Sequence, residues 1–136
     1  MASKRLTVVS VLLVFACKQP TASEQMDSIV SWLGTAGMAG HAWLNHTTPD
    51  KYTRQTLELS RTSLLQIRRQ LFKSFPAGVD GASTDNTIKR SSGHLAFMAK
   101  LVEQKNSPDF RSLLDSLEAD EKIIKQLADS VEAHEK

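Results

Sequence analysis

The sequence predicts an all-α protein, a small up-down-up-down four-helix bundle. Apolar residues recur at intervals of three and four in four successive segments, which places them along one face of a helix. Three short breaks rich in Pro, Gly, Asn and Asp separate these segments, at residues 46–49, 76–83 and 106–108. Runs of strand-forming residues are almost absent after residue 30. Because the connections are short, consecutive helices are expected to be antiparallel neighbours.

The first helix is predicted from about Ser23 to Asn45. Its stripe comprises Met26, Ile29, Val30, Leu33, Ala36, Gly37, Gly40 and Leu44. Gly34, Gly37 and Gly40 interrupt the middle of this helix at intervals of three, and each glycine lowers helix stability by up to about 1 kcal/mol. The close approach of a neighbouring helix, or of a bulky group, is the simplest feature that would offset this loss.

The second helix is predicted to begin at Thr48-Pro49-Asp50 and to run to about Phe75. Thr48 has the side chain of an N-cap, and proline is favoured in the first helical position. The helix is expected to end before Pro76, which starts a turn-rich loop. Its core stripe comprises Leu57, Leu64, Ile67, Leu71 and Phe75.

Similar signals delimit the third and fourth helices. Ser83 or Thr84 is predicted to cap the third helix, which runs to about Lys105. Ser107 is predicted to cap the fourth helix, with Pro108 in its first turn. The core residues of the two helices are predicted to be Ile88, Leu95, Met98, Ala99, Val102, Phe110, Leu113, Leu117, Ile124, Leu127 and Val131.

Polar residues interrupt these stripes near the middle of three helices. Asp120 occupies an apolar position of the fourth stripe, Arg61 and Arg68 border the second stripe, and His94 borders the third. In one interpretation Asp120 pairs with an arginine or with His94 in a buried layer that fixes the register of the helices. In the other, the arginines extend to solvent and the fourth stripe shifts by one residue, so that Asp120 faces water.

Residues 1–17, MASKRLTVVSVLLVFAC, have the pattern of an export signal. Lys4 and Arg5 form a positive segment, and an apolar run follows from Leu6 to Ala16. Eleven helical residues extend roughly 16 Å, about half of the hydrocarbon core of a bilayer. The run is therefore too short to cross a membrane, and residues 1–16 are predicted to be a cleaved signal peptide.

The segment Val14-Phe15-Ala16-Cys17 resembles the lipobox of bacterial lipoproteins. The single cysteine of the chain stands where the apolar run ends, after a small residue at −1 and an aliphatic residue at −3. The resemblance implies that Val14 and Ala16 form the cleavage motif and that Cys17 receives a diacylglyceryl group. It covers these 17 residues only. Cleavage by the ordinary signal peptidase and retention of the apolar segment as an anchor are the alternatives.

Lipidation at Cys17 would define the domain organisation and the cellular location of the protein. Residues 17–24 are expected to form a lipidated polar tether, and residues 25–136 a single helical domain. Several acyl chains would hold the protein firmly to a membrane, at about 0.8 kcal/mol per buried methylene. Lys18 is not the aspartate that marks inner-membrane retention in the best-known sorting rule for lipoproteins. The expected location is therefore the periplasmic face of the outer membrane, in an organism that has one.

Charge gives no reason to expect a nucleic-acid partner but differs between helices. Lys4 and Arg5 lie in the predicted signal, and from Cys17 onward the chain has 15 basic and 15 acidic residues. Residues 50–73 contain six basic and two acidic side chains, whereas residues 109–136 contain four basic and eight acidic side chains. Helices two and four are diagonal in a simple bundle, so each could offer a partner a surface of one sign. The candidate faces are Arg54, Arg61 and Arg68 on helix two and Asp115 and Glu118 on helix four; an ordinary solvated surface is the alternative.

The sequence lacks the catalytic and metal-binding motifs that suit a small helical domain. Glu-x-x-His, Cys-x-x-Cys-His, His-Glu-x-x-His and phosphate-loop patterns are all missing. We therefore expect no enzyme, no cofactor and no metal. A weak soft-ligand pattern remains, because Met38 and His41, and likewise His94 and Met98, share a helix face at spacings of three and four. Packing of Met98 in the core is the alternative explanation of the second pair.

Two function hypotheses follow. In the first, the protein is a non-enzymatic envelope lipoprotein whose bundle binds another envelope protein or a second copy of itself. In the second, the bundle carries or senses copper, haem or a small apolar molecule, with His94 and Met98 as its first ligands.

Overall fold

A computed structural model describes residues 19–136, so the predicted signal peptide, Val14, Ala16 and Cys17 lie outside the described residues. The described chain forms four helices, α1 (Ala22–Leu44), α2 (Asp50–Leu71), α3 (Gly81–Glu103) and α4 (Ser107–Glu135). Consecutive helices pack side by side, and α4 closes the ring against α1. The predicted up-down-up-down four-helix bundle is confirmed.

The core follows the predicted stripes closely. Leu57, Leu64 and Leu71 of α2 are fully buried at intervals of seven residues, facing the centre of the ring. The most deeply buried side chains of the other helices include Met26, Ile29, Leu33, Ile88, Leu95, Met98, Val102, Phe110, Leu117, Ile124 and Val131. At the end of α1, the Trp43 ring lies 4.7 Å from that of Phe110 between centroids. The Trp43 indole also donates a hydrogen bond to Asp50 Oδ1 at 2.7 Å, so an aromatic pair and a hydrogen bond tie α1 to both α4 and α2.

The helix starts differ from the predicted ones by one to three residues. Thr21 caps α1 through a capping box with Glu24, so residues 22–24, assigned to the tether by the sequence pattern, form the first helical turn. Asp80 rather than Ser83 or Thr84 caps α3, because its carboxylate accepts a hydrogen bond from the Ser83 amide. For α4 the cap is Asn106 rather than Ser107. In both cases an equally good capping side chain precedes the predicted one and makes the capping hydrogen bond.

The ends of α2 also differ from the sequence prediction. Pro49 occupies the N-cap position without a side-chain hydrogen bond, and the Thr48 hydroxyl is buried without a partner. The helix ends at Leu71, four residues before the predicted end at Phe75. The chain then turns early, and Phe72 and Phe75 pack against each other with ring centroids 5.3 Å apart.

Two helices end with a non-glycine residue in the left-handed conformation. His46 follows α1 with φ of 59°, and Lys105 follows α3 with φ of 56°. After α3, the amides of Lys105 and Asn106 donate to the carbonyls of Val102 and Leu101. This is the Schellman arrangement, in which glycine normally takes the left-handed position. No glycine stands at either position to mark these helix ends in the sequence.

The predicted close approach to the α1 glycines is confirmed at Gly40. A Cβ added at Gly40 would lie 3.0 Å from Leu114 Cδ1 and 3.3 Å from the Phe110 ring, so a larger residue there requires these α4 side chains to move by a few tenths of an ångström. At Gly37 no atom of a neighbouring helix lies within 4 Å of the added carbon. Close packing therefore accounts for one of these glycines and not for the other.

The start of α1, the end of α2, the start of α3 and the end of α4 lie together at one end of the bundle, which we call the proximal end. The Ser23 amide donates to Glu135 at 3.1 Å, which joins the first residues of α1 to the last of α4. Within residues 19–136, no helix has both the length and the apolar character needed to cross a bilayer.

Candidate functional site

The predicted basic face of α2 lies along α3 and is paired with acidic residues of the same chain. Arg54 lies 3.8 Å from Glu103 of α3, between side-chain nitrogen and oxygen. Arg61 lies 3.7 Å from Glu58 on its own helix. These two pairs are well exposed, and such pairs contribute little to stability.

Arg68 forms the best-defined ion pair of this face. Its Nε and Nη2 donate to the two carboxylate oxygens of Asp85 at 2.5 and 3.3 Å. The hydrogen bond from Arg68 lowers the pKa of Asp85, and Lys89, 3.1 Å from the same carboxylate, adds to the lowering. The same hydrogen bond raises the pKa of Arg68. Arg68 therefore joins α2 to α3 and is less accessible to a partner than the sequence pattern indicated.

One of the two residues of the predicted acidic face of α4 is also paired within the chain. Glu118 pairs with His41 of α1, whereas Asp115 is exposed to solvent. The five candidate charged residues thus lie on two diagonal helices, and four of them pair within the chain. They do not form one continuous surface.

Asp120 is the centre of a buried polar cluster between α3 and α4. Only 3% of the residue is exposed. Its Oδ1 accepts hydrogen bonds from Arg90 Nε at 3.0 Å and Nη2 at 2.6 Å, and its Oδ2 accepts one from Ser91 Oγ at 3.1 Å. His94 Nδ1 lies 3.3 Å from Oδ2 without making a hydrogen bond. The hydrogen bonds to Asp120 raise the pKa of Arg90.

The structure decides between the two interpretations of Asp120. The carboxylate is buried and lies beside His94, as the polar-layer interpretation predicted, and the shifted-stripe interpretation is wrong. Pairing with Arg61 or Arg68 is also wrong, because Arg61 pairs with Glu58 of its own helix and Arg68 with Asp85 of α3. Sequence reasoning missed Arg90 and Ser91. A signal was present, because Ser91 lies between Ile88 and Leu95 in the α3 stripe, where a small polar residue leaves room for the carboxylate.

The soft-ligand candidates form two separate pairs, of which Met38 and His41 line a pocket together with Glu118 and Glu121 of α4. Met98 is fully buried in the core, and its partner candidate His94 lies beside Asp120. Met38 is 75% exposed on α1, while His41 pairs with Glu118. Among residues 19–136, no three His, Cys, Asp or Glu side chains are grouped so that they could hold a metal ion.

An apolar groove lies between α1 and α2, on the side of the bundle away from the Asp120 cluster. Trp32, Thr35, Tyr52, Gln55, Thr56 and Leu59 line this α1–α2 groove. Tyr52 is 57% exposed and Leu59 56%, beside the partly buried Trp32. None of the six lining residues carries a charge. The sequence analysis missed the groove, because Tyr52 and Leu59 lie outside the apolar stripes and only the packing of α1 on α2 places them beside Trp32.

Comparisons of the chain with protein-family models, with curated proteins and with solved structures found no match.

Proposed function

We propose that the chain is a lipid-anchored protein of the bacterial cell envelope that works by binding another protein and not by catalysis. The observation that carries this proposal is the α1–α2 groove. Exposed Tyr52 and Leu59 lie there beside the partly buried Trp32, and no lining residue is charged, which is the composition of the centre of a protein interface, where aromatic residues are enriched and charges depleted. The partner would offer apolar side chains, with neutral polar groups opposite Thr35, Gln55 and Thr56.

The anchor limits where that partner can be. The lipobox resemblance supports acylation of Cys17, and α1 begins at Ala22, five residues later. Five extended residues reach at most about 18 Å. The bundle would therefore stay next to the bilayer, within reach of membrane proteins and of other anchored proteins of the same leaflet. The periplasmic face of the outer membrane remains the proposed location in an organism that has one.

Site-specific crosslinking in living cells tests the groove. A photoreactive phenylalanine analogue is introduced at Gln55, within the groove, and at Phe97, which is 54% exposed on α3. We expect a crosslinked protein at position 55 and none at position 97. Adding Leu59→Asp should weaken that crosslink about tenfold, because a desolvated carboxylate in an apolar contact is costly.

Phe97→Asp is the matched control for Leu59→Asp, since both replace a half-exposed apolar side chain with a charge. It should leave the crosslink at position 55 unchanged. Equal loss in both variants, or no crosslink at position 55, would refute the groove as a binding surface. A crosslinked species of twice the mass would identify the partner as a second copy of the chain.

A further inference from the structure

A small pocket lies at the proximal end, between the residues that lead into α1 and the last turn of α2. It has a volume of about 170 Å³. Its lining residues are Gln19, Pro20, Gln25, Gln70, Lys73 and Ser74. We propose that this pocket binds the headgroup of a phospholipid in which the phosphate is accompanied by a hydrogen-bond donor, as in phosphatidylethanolamine and phosphatidylglycerol. This inference rests on the proposed anchoring at Cys17.

The donor groups of the pocket suit a phosphate. Lys73 supplies an ammonium group, and it takes part in none of the ion pairs found among residues 19–136. Ser74 supplies a hydroxyl, and Gln19 and Gln70 supply amides. No lining residue is acidic. A lysine with surrounding neutral donors is a common arrangement for holding phosphate as a point charge.

Gln25 adds a second requirement for a ligand of the pocket, a hydrogen-bond donor. The residue is 7% exposed, and its side-chain Oε1 has no hydrogen-bond partner. Buried acceptors are almost always paired, so an unpaired one beside a pocket requires a donor, either a water molecule or a group of a bound ligand. The ammonium of phosphatidylethanolamine or a glycerol hydroxyl of phosphatidylglycerol provides such a donor next to the phosphate. Phosphatidylcholine, with a quaternary ammonium, does not.

The position of the pocket favours a lipid as the source of the phosphate. Gln19 is two residues after Cys17, so its Cα lies within about 7.6 Å of the acylated residue. The headgroup region of one leaflet is about 5–8 Å deep. With Cys17 at the membrane, the pocket would lie at the depth of neighbouring headgroups. Phe72, 37% exposed next to Lys73, would contact the same interface.

General attraction of the proximal end to an anionic surface does not explain such a site. This end carries both signs of charge, because Glu132 and Glu135 lie on its α4 side and Glu132 pairs with Lys136 at 3.3 Å, while Lys73 follows α2. Recognition by the pocket therefore predicts similar binding of neutral phosphatidylethanolamine and anionic phosphatidylglycerol. Electrostatic attraction alone predicts a preference for the anionic lipid.

Native mass spectrometry of the full-length acylated protein, released from membranes in detergent, tests the inference. Short-chain phosphatidylethanolamine, phosphatidylglycerol and phosphatidylcholine are titrated separately, and inorganic phosphate is titrated alone. We expect the first two lipids to bind about tenfold more tightly than phosphatidylcholine, because only they pair with Gln25. Equal binding of the three lipids overturns the proposal, and inorganic phosphate binding as tightly as the lipids reassigns the pocket to a soluble anion.

Two variants with a matched control make the test specific. Lys73→Gln should weaken binding of all three lipids about tenfold, whereas Lys51→Gln, which removes an exposed lysine at the other end of α2, should have no effect. Gln25→Leu should abolish the preference over phosphatidylcholine; if that variant does not fold, the lysine pair still decides. Equal binding by the two lysine variants overturns the pocket. The same spectra report acyl chains on Cys17, so failure of the anchor is seen separately from failure of the pocket.

Discussion

Asp120 shows how one buried carboxylate can be held within an apolar stripe. Arg90 and Ser91 donate three hydrogen bonds to its two oxygens, and the Arg90 side chain stays half exposed, so its charge remains hydrated on one side. A buried acceptor of this kind is satisfied without a partner from outside the bundle. The cluster is therefore best explained as a connection between α3 and α4 and not as a reactive site.

Replacing Asp120 with Asn should lower the free energy of unfolding by about 1–3 kcal/mol, since hydrogen bonds to a charged group are lost or weakened at a buried position. Urea unfolding of the full-length protein measures the change. Asp115→Asn is the control, because Asp115 is exposed on the same helix and its replacement should change stability by no more than about 0.5 kcal/mol. Equal losses would show that the cluster does not hold α3 to α4.

The lowered pKa of Asp85 makes a prediction about pH. A carboxyl whose pKa is depressed on folding stabilises the protein at pH values above its unfolded pKa, near 3.8. That contribution is lost as the pH falls through the lower, folded pKa. Asp85→Asn should therefore be less stable than the natural protein at pH 7, by up to about 1 kcal/mol for this partly exposed pair, and the difference should shrink towards pH 2. Urea unfolding at both pH values measures it, and a difference that grows on acidification would contradict the assignment.

Among the secondary-structure elements, α1 has two glycines in contrasting surroundings. Gly37→Ala should raise the free energy of unfolding by about 0.5–1 kcal/mol, because alanine favours the helix and its Cβ meets no atom of another helix. Gly40→Ala has the same gain in helix propensity but forces Leu114 and Phe110 of α4 to move, so it should be less stable than Gly37→Ala by about 1 kcal/mol or more. Thermal or urea unfolding of the two variants compares them directly. Equal stability would mean that the α4 side chains beside Gly40 move without a loss of stability.

The helices could be predicted from the spacing of apolar residues, while their ends depended on which of several nearby residues acts as the cap. The stripes of α2 and α4 placed Leu64 and Leu117 in the core because the spacing of apolar residues reports directly on which face is buried. The N-caps were harder to predict, since Asp80 and Ser83 are both good N-caps and only the observed hydrogen bond distinguishes them. The α1–α2 groove and the proximal pocket could not be predicted, because each requires two helices in a known register.

For the whole molecule, the ring order places helices of like sign side by side. The neighbours α1 and α4 together carry ten acidic and three basic residues, whereas α2 and α3 carry four acidic and eight basic residues. The asymmetry that the sequence predicted between two diagonal helices thus extends to helix pairs, and the bundle has an acidic and a basic side. The uncharged α1–α2 groove lies on the boundary between these sides, where neither sign would repel a partner.

The intact mass of the protein extracted from its native membranes tests the central proposal, anchoring of this bundle at the envelope, most directly. We expect a chain that begins at Cys17 and carries acyl chains, and the same measurement on Cys17→Ser should show no acylated species. A chain without acyl groups, cleaved elsewhere or retaining residues 1–16, would contradict the lipoprotein proposal and remove the reason for placing the proximal end at a membrane.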